Sequence, residues 1–439
     1  MAIYRAAIAA LAIASQLPEA SAFLPGGSLP LRGRPQPLAS RPAVRGGPAL
    51  ARMAISQDPK TDSEVRIDDV WYDLSRWRKA HPAGSHWIDL YRDQDATEVM
   101  QGFHSEKGME MMKRLPKSKT IPEGVKDVSQ VTRNFREWRK ELVNDGWFER
   151  EWQHELFNVG SWATWIVAGL YIAQIDTIFA QFTAATILGI DTVFAQFTAA
   201  TILGVANPLG AISNQIANTI GGWLSHDYVH GRGKFADVMR SFGFVCGGMS
   251  TTWWSDKHNK HHARTNEVGI DEDIATDPAL FLWAPDPKND APWRKWQGHY
   301  LPFPMSLLFL IWRFDSIKVA IDRKIWPEVA GLAFHYAVMF YFVSLPTFFG
   351  AMLLSGFMTA IITTVTHQSE ELFFNEEPEF VDAQYRSTRD AICSNPFSEW
   401  LWGGMQYQLE HHLFPTMPRY KYPAMVAHVK KFADDNNLE

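Results

Sequence analysis

Hydrophobic and polar residues are strongly segregated along this chain. Residues 157–225 and 301–366 are rich in Leu, Ile, Phe, Ala and Trp, whereas the first 150 residues and residues 255–298 are polar. Each apolar block has room for two helices of about 20 residues, the length that crosses the hydrocarbon core of a bilayer. The pattern predicts a mainly α-helical protein with a four-helix integral membrane domain.

The four spans are expected to form two hairpins. Two passes are predicted within residues 156–224 and two more within 326–366, with an interfacial helix near 301–313. Because an even number of passes separates successive polar blocks, these blocks should lie on one face of the membrane. Three basic residues of the second polar block are consistent with the face that is not translocated: Lys257, Lys260 and Arg264.

A tandem repeat lies inside the first apolar block. Residues 175–189 and 190–204 differ only by Ile178 and Val193. Drawn as one helix, residues 157–204 would be about 72 Å long, more than twice the bilayer core, so the chain must break. Two short copies do not make a solenoid. The repeat carries no recognisable chemistry and is interpreted as a spacer.

The first 57 residues are typical of targeting sequence. Residues 1–22 combine Arg5, an apolar run too short for a membrane span and a small-residue end, the layout of a signal peptide. Residues 23–57 contain five arginines and no acidic residue, as in an organelle transit peptide. The junction Ala20-Ser21-Ala22-Phe23 resembles the two-part leader of algae with complex plastids. We therefore expect a plastid membrane, with the endoplasmic reticulum as the alternative.

Composition narrows the chemistry. The formal net charge is −6, which gives no reason to expect nucleic acid as a partner. The two cysteines, Cys246 and Cys393, exclude a disulfide framework and a cysteine-based metal site. The 15 histidines are the unusual element, and their positions matter more than their number.

Three clusters of potential metal ligands follow the hydrophobic blocks. They are His226 and His230; His258, His261 and His262; and Gln408, His411 and His412. Residues i and i+4 of a helix lie on one face, so His226 and His230 can reach one metal. The i, i+3, i+4 spacing of the other clusters also gives one face, and His262, next to His261, can serve a second metal. Seven histidines exceed what one ion can use, which implies two. Imidazole suits iron, copper, zinc and nickel, so the metal stays open.

The order HxxxH, HxxHH, QxxHH resembles the membrane fatty acid desaturase family, and the similarity covers residues 66–118 and 150–435. Flanking stretches that agree are 253–257, 271–278 and 403–415. Gln408, in place of a first histidine, resembles the front-end group. Enzymes of that group insert a double bond between an existing one and the carboxyl end, and they commonly carry a fused cytochrome b5 domain.

The resemblance implies two non-haem iron ions in a cytosolic or stromal cap on the membrane domain. It implies one further histidine, His367, at the end of the fourth span, and a weaker contribution from the amide oxygen of Gln408, directly or through water. The implied ligand set is His226, His230, His258, His261, His262, His367, Gln408, His411 and His412. The implied reaction uses O2 and two electrons to remove two hydrogens from adjacent methylenes of a fatty acyl lipid.

Residues 66–118 resemble a small α+β cytochrome b5 domain. His81 and His104 fall on the positions that bind haem b in that family. Ala83 departs from the usual glycine, and the strand and helix that normally come first have no clear counterpart before Val65. His86 matches no ligand position. Electrons are therefore expected from this domain with a reductase, or from ferredoxin.

Four further residues are candidates for lesser roles. Asp271, Glu272 and Asp273 could accept hydrogen bonds from ligand imidazoles, or could form a solvated acidic loop. His335 lies in the middle of a span and is interpreted as a neutral, hydrogen-bonded core residue.

The predicted function is that of a front-end acyl-lipid desaturase. It would insert a cis double bond into a C16 or C18 chain, with a delta-6 outcome favoured. A sphingolipid desaturase or a fatty acyl hydroxylase could use the same di-iron scaffold. A membrane-anchored haem electron-transfer protein and a histidine-rich metal transporter are the alternatives of other classes.

Overall fold

A computed structural model describes residues 63–119, 121–122, 125, 127–172, 207–283, 290–374 and 376–438. The predicted signal and transit peptides and the tandem repeat lie outside the described residues. The described chain forms a small amino-terminal domain, residues 63–119, and a helical domain, residues 127–438.

The amino-terminal domain pairs one β-hairpin with short helices. Its elements are β1 (Glu64–Ile67), β2 (Val70–Asp73), α1 (His86–Leu90), α2 (Thr97–Phe103) and α3 (Glu106–Met112). The strands are antiparallel, with Ile67 opposite Val70. Asp68 and Asp69, which join them, have φ angles of 48° and 64°, as a two-residue turn matched to strand twist requires. The hairpin and helices enclose an apolar core that includes Val65, Ile67, Tyr72, Leu74, Ile88 and Val99.

The helical domain contains twelve α-helices of six or more residues among the described residues. They are α4 (Gln130–Asn144), α5 (Trp152–Ile172), α6 (Pro208–His230), α7 (Gly233–Gly247), α8 (Thr251–Ala263), α9 (Pro302–Asp322), α10 (Trp326–Phe342), α11 (Leu345–Thr363), α12 (Phe380–Ser387), α13 (Pro396–Trp402) and α15 (Tyr422–Asn436), together with the shorter α14 (Gln408–Leu413). The fold is therefore mainly helical with a small α+β unit, as predicted.

The long helices α5, α6, α9 and α11 pack side by side. One close approach is at Gly356 of α11, where a Cβ atom would lie 2.5 Å from the backbone oxygen of Ser306 in α9. Helix α9 therefore lies against α11 and is longer than the interfacial helix expected near 301–313. Arg313, at its middle, is buried and donates to the carbonyl oxygen of Gly247 and to Asn218.

Judged by length and apolar composition, one helix of the described residues could cross a membrane, Leu345–Gln368. The neighbouring α10 has 17 residues, somewhat short for a bilayer. The four-span arrangement stays a prediction.

Local capping places the two histidine-bearing helices. Asn207 caps α6 by accepting from the backbone N–H of Gly210, with Pro208 in the first turn. Ser250 caps α8 by accepting from the backbone N–H of Trp253. Both helices end at their histidines, so the imidazoles lie at the same end of the helical domain.

Candidate functional site

The three clusters and His367 come together in the buried interior between α6, α8, α11 and α14. They form two sets of nitrogens, each set with all its potential ligand atoms within 4.8 Å of one another and able to hold a metal ion. The first histidine group is His226, His230, His258, His262 and His411, and the second histidine group is His261, His367 and His412.

In the first histidine group, ring nitrogens converge on a common point. The Nε2 atom of His258 lies 2.6 Å from Nε2 of His226 and 3.1 Å from Nε2 of His262. Nε2 of His411 and both ring nitrogens of His230 are buried without a hydrogen-bond partner among the described residues. Buried polar atoms are rarely left unsatisfied, so this set fits a bound cation.

The structure divides the second cluster differently from the sequence interpretation. His258 and His262 share the first histidine group, and His261 belongs to the second. At about 100° per residue, i and i+4 are about 40° apart around a helix, whereas i+3 lies about 60° to the other side. His261 of α8 is therefore turned toward His367 and His412. His258 and His261 thus do not share a group, although one face was expected for all three residues. That the neighbours His261 and His262 serve different metals stays a prediction.

Each ring of the second histidine group has its Nδ1 atom next to an oxygen. Nδ1 of His261 lies 2.8 Å from Oδ2 of Asp271, and Nδ1 of His367 lies 3.3 Å from the carbonyl oxygen of Ser387. Nδ1 of His412 lies 2.8 Å from Oε1 of Gln384. Because these oxygens accept, each Nδ1 donates, and each Nε2 keeps its lone pair for a metal.

The orientation of Gln384 is itself determined by a hydrogen bond. Its Nε2 atom donates to the carbonyl oxygen of His262 at 3.2 Å, so its oxygen must face His412. Gln384 thus connects the two histidine groups. Sequence reasoning missed this residue because it lies in α12, far along the chain from every cluster.

One of the three acidic residues of the 271–273 loop orients a histidine. Burial alone would raise the pKa of Asp271, but His261 and the backbone N–H groups of Asp273 and Asn266 lower it to about 2. Asp271 is thus a carboxylate. Glu272 pairs with the side chain of Lys260 near the surface, 2.6 Å away. Asp271 therefore accepts a hydrogen bond from a histidine of the site, whereas Glu272 belongs to the solvated part of the loop.

Burial lowers the pKa of the extramembrane histidines well below the usual value, as for His258, His262, His411 and His412. His261 is the exception: burial lowers its pKa, but the charge of Asp271 outweighs this and raises it. The rings of His258, His262, His411 and His412 are therefore neutral at pH 7. Each has a nitrogen lone pair available for a metal, as metal binding by histidine requires.

His367 and Gln408 reach the same place from different elements. His367 lies in a single π-helical turn, Thr364–Gln368, that follows α11; such turns are frequent at functional sites because they change the direction of a side chain. Gln408 begins α14, and its Oε1 atom is buried without a hydrogen-bond partner among the described residues. Both residues line one narrow cavity of about 50 Å³ beside the histidines.

Seven apolar and aromatic side chains line this cavity beside the histidines. They are Trp223, Met249, Trp254, Phe309, Trp312, Ile362 and Met405. The ring of Trp254 stacks on that of His258, with centroids 4.9 Å apart. Members of both histidine groups therefore line a cavity with a partly apolar wall.

The amino-terminal domain contains a second candidate cofactor site. The ring centroids of His81 and His104 lie 6.0 Å apart. A metal bound to one nitrogen of each ring by bonds of about 2 Å would place the two ring centroids about 6 Å apart. Nδ1 of His81 lies 3.1 Å from the carbonyl oxygen of Gly84, so Nε2 is free for a metal. Burial lowers the pKa of His104 to about 4, so its ring is neutral. The surrounding cavity, here called the haem cavity, has a volume of about 660 Å³ and is largely apolar.

Ala83 does not disturb this site. The turn after His81 places the positive φ, 104°, at Gly84, where a Cβ atom would lie 2.7 Å from Nδ1 of His86. Glycine is thus required at residue 84, and residue 83 tolerates a side chain. His335, by contrast, is a buried residue of α10 against Gly248, away from both histidine groups.

Comparison with known proteins agrees with this geometry. The profile "Fatty acid desaturase" matches residues 198–439, and "Cytochrome b5-like Heme/Steroid binding domain" matches residues 54–120. The acyl-lipid (9-3)-desaturase of Physcomitrium patens is 30% identical, over 89% of this chain and 74% of its own length. The acyl-lipid 8-desaturase of Rebecca salina is 27% identical over 84% of both chains. The delta(6)-fatty-acid desaturase fat-3 of Caenorhabditis elegans is 28% identical over 85% of this chain and 91% of its own.

The haem cavity, the two histidine groups and these similarities point to one type of protein. The chain belongs to the fatty acid desaturase family, as an oxidoreductase of the front-end type with an amino-terminal cytochrome b5-like domain.

Proposed function

We propose that this chain is a front-end acyl-lipid desaturase that inserts a cis double bond into a C16 or C18 chain, with a delta-6 outcome. The observation that carries this proposal is the position of the two histidine groups beside a narrow, partly apolar cavity. The lipid-bound substrate is supported by the relatives named acyl-lipid desaturases. An unbranched acyl chain suits the apolar part of the cavity wall, which lies next to the histidines.

The two histidine groups would each hold one iron. The proposed ligands are His226, His230, His258, His262 and His411 for one ion, and His261, His367 and His412 for the other, with Gln408 contributing its amide oxygen directly or through water. When bound, the irons supply the reductive activation of O2 that removes two hydrogens from adjacent methylenes.

The protein's own contribution is orientation and exclusion of water. Asp271, Gln384 and the carbonyl oxygen of Ser387 hold the second histidine group in one tautomer. Trp254 and Trp312 close the apolar wall next to His258. A substrate chain in this cavity presents only methylene groups to the reactive centre, and water is excluded from it.

His81 and His104 would bind haem b in the haem cavity, so that the amino-terminal domain supplies electrons within the same chain. A reductase would in turn reduce the haem. In the alternative, ferredoxin would supply the electrons in place of this domain. Two neutral imidazoles on opposite faces leave no position for O2, which suits a site that only transfers electrons.

The proposed location is a plastid membrane, with the endoplasmic reticulum as the alternative. Desaturases of this family are membrane-associated, and the helix Leu345–Gln368 is consistent with that. Large apolar side chains are exposed on two further helices, among them Leu156 of α5 and Phe334 and Tyr341 of α10, as expected of surfaces that face lipid. We propose that α5 and α10, together with α6 and Leu345–Gln368, form the four spans, and that residues 1–22 and 23–57 are the two parts of the plastid leader.

Expression in yeast tests the proposal. Fatty acids would be profiled by lipid class, with double bonds located by mass spectrometry, for the wild type and for His261→Ala. New cis double bonds nearer the carboxyl end, absent in His261→Ala while its haem spectrum is unchanged, would support it. A hydroxylated product would instead indicate a fatty acyl hydroxylase, and a desaturated sphingoid base would indicate a sphingolipid desaturase. A haem spectrum with no lipid product would instead indicate a haem electron-transfer protein.

A further inference from the structure

The amino-terminal domain is docked directly onto the helix that carries the second histidine cluster. The hydroxyl of Tyr91 donates to the carbonyl oxygen of Ala263, the last residue of α8, at 2.9 Å. The guanidinium of Arg264 donates to the carbonyl oxygen of Leu90 at 3.0 Å and also lies over the Tyr91 ring. Ala263 is part of the apolar core of the amino-terminal domain. The end of α8 is therefore shared by both domains.

A second contact lies about two turns earlier along α8. One carboxylate oxygen of Asp256 accepts from Nε2 of His86 at 3.2 Å and from the indole N–H of Trp87 at 3.3 Å. Its other oxygen accepts from Arg323 at 3.0 Å. Asp256 also lines the haem cavity, together with Thr252 and other residues of α8. The haem cavity is thus closed on one side by the helical domain.

Phe103 lies between the two candidate cofactor sites. It precedes His104 in the chain and lines the haem cavity. Its ring centroid is 6.3 Å from that of His230 and 6.4 Å from that of His262, two members of the first histidine group. One side chain therefore contacts the metal-binding rings and is covalently joined to a haem-binding residue.

We propose that Phe103 bridges the haem and the first histidine group, so that electrons cross within one chain between permanently docked domains. The inference rests on the desaturase function proposed above and deepens it by naming the route of electron supply. Each transfer oxidises the haem from ferrous to ferric and reduces one ferric iron of the pair to ferrous. Two transfers per turnover, with two protons and O2, convert two adjacent methylenes into a double bond and yield two waters.

The physical reason lies in the gaps that an electron must cross. Tunnelling falls steeply with through-space distance and much less along covalent bonds. From His104 the route runs through the backbone to Phe103 and then makes one ring-to-ring contact with His230 or His262. A shorter aliphatic side chain would widen this gap without touching any metal ligand.

The first test follows the haem and not the lipid product. Detergent-solubilised holoenzyme with reduced haem is mixed with O2 and an acyl-lipid substrate in a stopped-flow instrument, and haem reoxidation is recorded by absorbance. Phe103→Leu should reoxidise its haem about tenfold more slowly, a change that corresponds to about 1.4 kcal/mol. Its haem spectrum, reduction potential and iron content should match the wild type. Phe103→Tyr, which keeps the ring, should restore the rate.

The matched control is Trp138→Leu, a comparable truncation in α4. Its ring contacts Phe135, Phe414 and Phe432, with no ring contact to a histidine of either site. This variant should reoxidise its haem at the wild-type rate. A wild-type rate in Phe103→Leu would overturn the inference. If the wild type itself shows no reoxidation that depends on O2 and substrate, the proposed function fails instead.

A second test needs no substitution at Phe103. One chain carrying His104→Ala and another carrying His261→Ala are co-expressed in a host that lacks its own cytochrome b5. Transfer confined to one chain predicts no desaturated product from the pair, although the wild-type chain gives product in the same host. Product from the pair would show that electrons pass between chains, and would refute the docked route.

Discussion

The Nδ1 atom of His261 lies 2.8 Å from Oδ2 of Asp271, and both residues are buried. This hydrogen bond determines which nitrogen of His261 faces the second histidine group, because Asp271 as a carboxylate can only accept. The neighbouring carboxylate, that of Asp273, forms an ion pair with Lys257. The orientation of one proposed iron ligand thus depends on one acidic residue of a loop.

We expect Asp271→Asn to weaken iron binding by the second histidine group by about 10- to 100-fold, the usual cost of removing an acceptor behind a metal-binding histidine. Iron content after dialysis against graded chelator would measure it. The control is Glu272→Gln, since Glu272 pairs only with a surface lysine; it should keep its iron. Equal iron retention by both variants would contradict the role of Asp271.

Tyr422 lies behind a histidine of the first histidine group, as Asp271 lies behind His261. Its hydroxyl lies 3.0 Å from Nδ1 of His411, and its ring is buried. Tyr422→Phe should lower the free energy of unfolding by about 0.5–1.5 kcal/mol and should also release iron more readily. Tyr385→Phe is the control, because Tyr385 donates to the carbonyl oxygen of Val429. It should lose similar stability and keep its iron, whereas iron loss in both variants would point to a general packing effect.

Haem retention should depend on pH in a direction given by His104. Burial lowers the pKa of this residue to about 4, below the value of about 6.5 for an unfolded histidine. Between these values the unfolded chain binds more protons than the folded chain. The contribution of His104 to the stability of the folded domain is therefore complete above about pH 6.5 and is lost as the pH falls to about 4. Absorbance of the haem band during acid titration measures this. Haem loss with a midpoint near pH 6.5 would show that His104 is not buried as described. His86→Gln, which lies outside the haem cavity, should leave the midpoint unchanged.

The contact between α9 and α11 can be tested at Gly356. A Cβ atom there would lie 2.5 Å from the backbone oxygen of Ser306 and 3.1 Å from the backbone nitrogen of Phe309. Gly356→Ala should therefore destabilise the helical domain by about 1–3 kcal/mol, measured as a lower unfolding midpoint in detergent. Gly160→Ala in α5 is the matched control, because no atom lies within 4 Å of its added Cβ. It should be neutral or stabilising by up to about 1 kcal/mol, and an equal loss in both variants would argue against the close approach.

Much of this arrangement could be predicted from spacing alone. His226 and His230 belong to one group because residues four apart share a helix face, and no neighbouring element changes that. The two-aspartate turn at Asp68 and Asp69 joins strands that the sequence interpretation had not identified separately. His81 and His104 match the two haem-binding positions of the cytochrome b5 family, and the structure places their rings 6.0 Å apart in the haem cavity.

The sequence by itself determined the mainly helical fold and identified the histidines that the structure gathers into two groups able to hold metal ions. Only the tertiary structure decided that His258 shares a group with His262, whereas His261 turns toward His367. The positions of these residues around the helix matter only once other histidines lie on two sides of it. It also decided that Asp271 and Gln384 orient ligands, and that Asp256 and Phe103 connect the two domains. These contacts join residues far apart in the chain, and their hydrogen bonds and packing arise only when the helices meet.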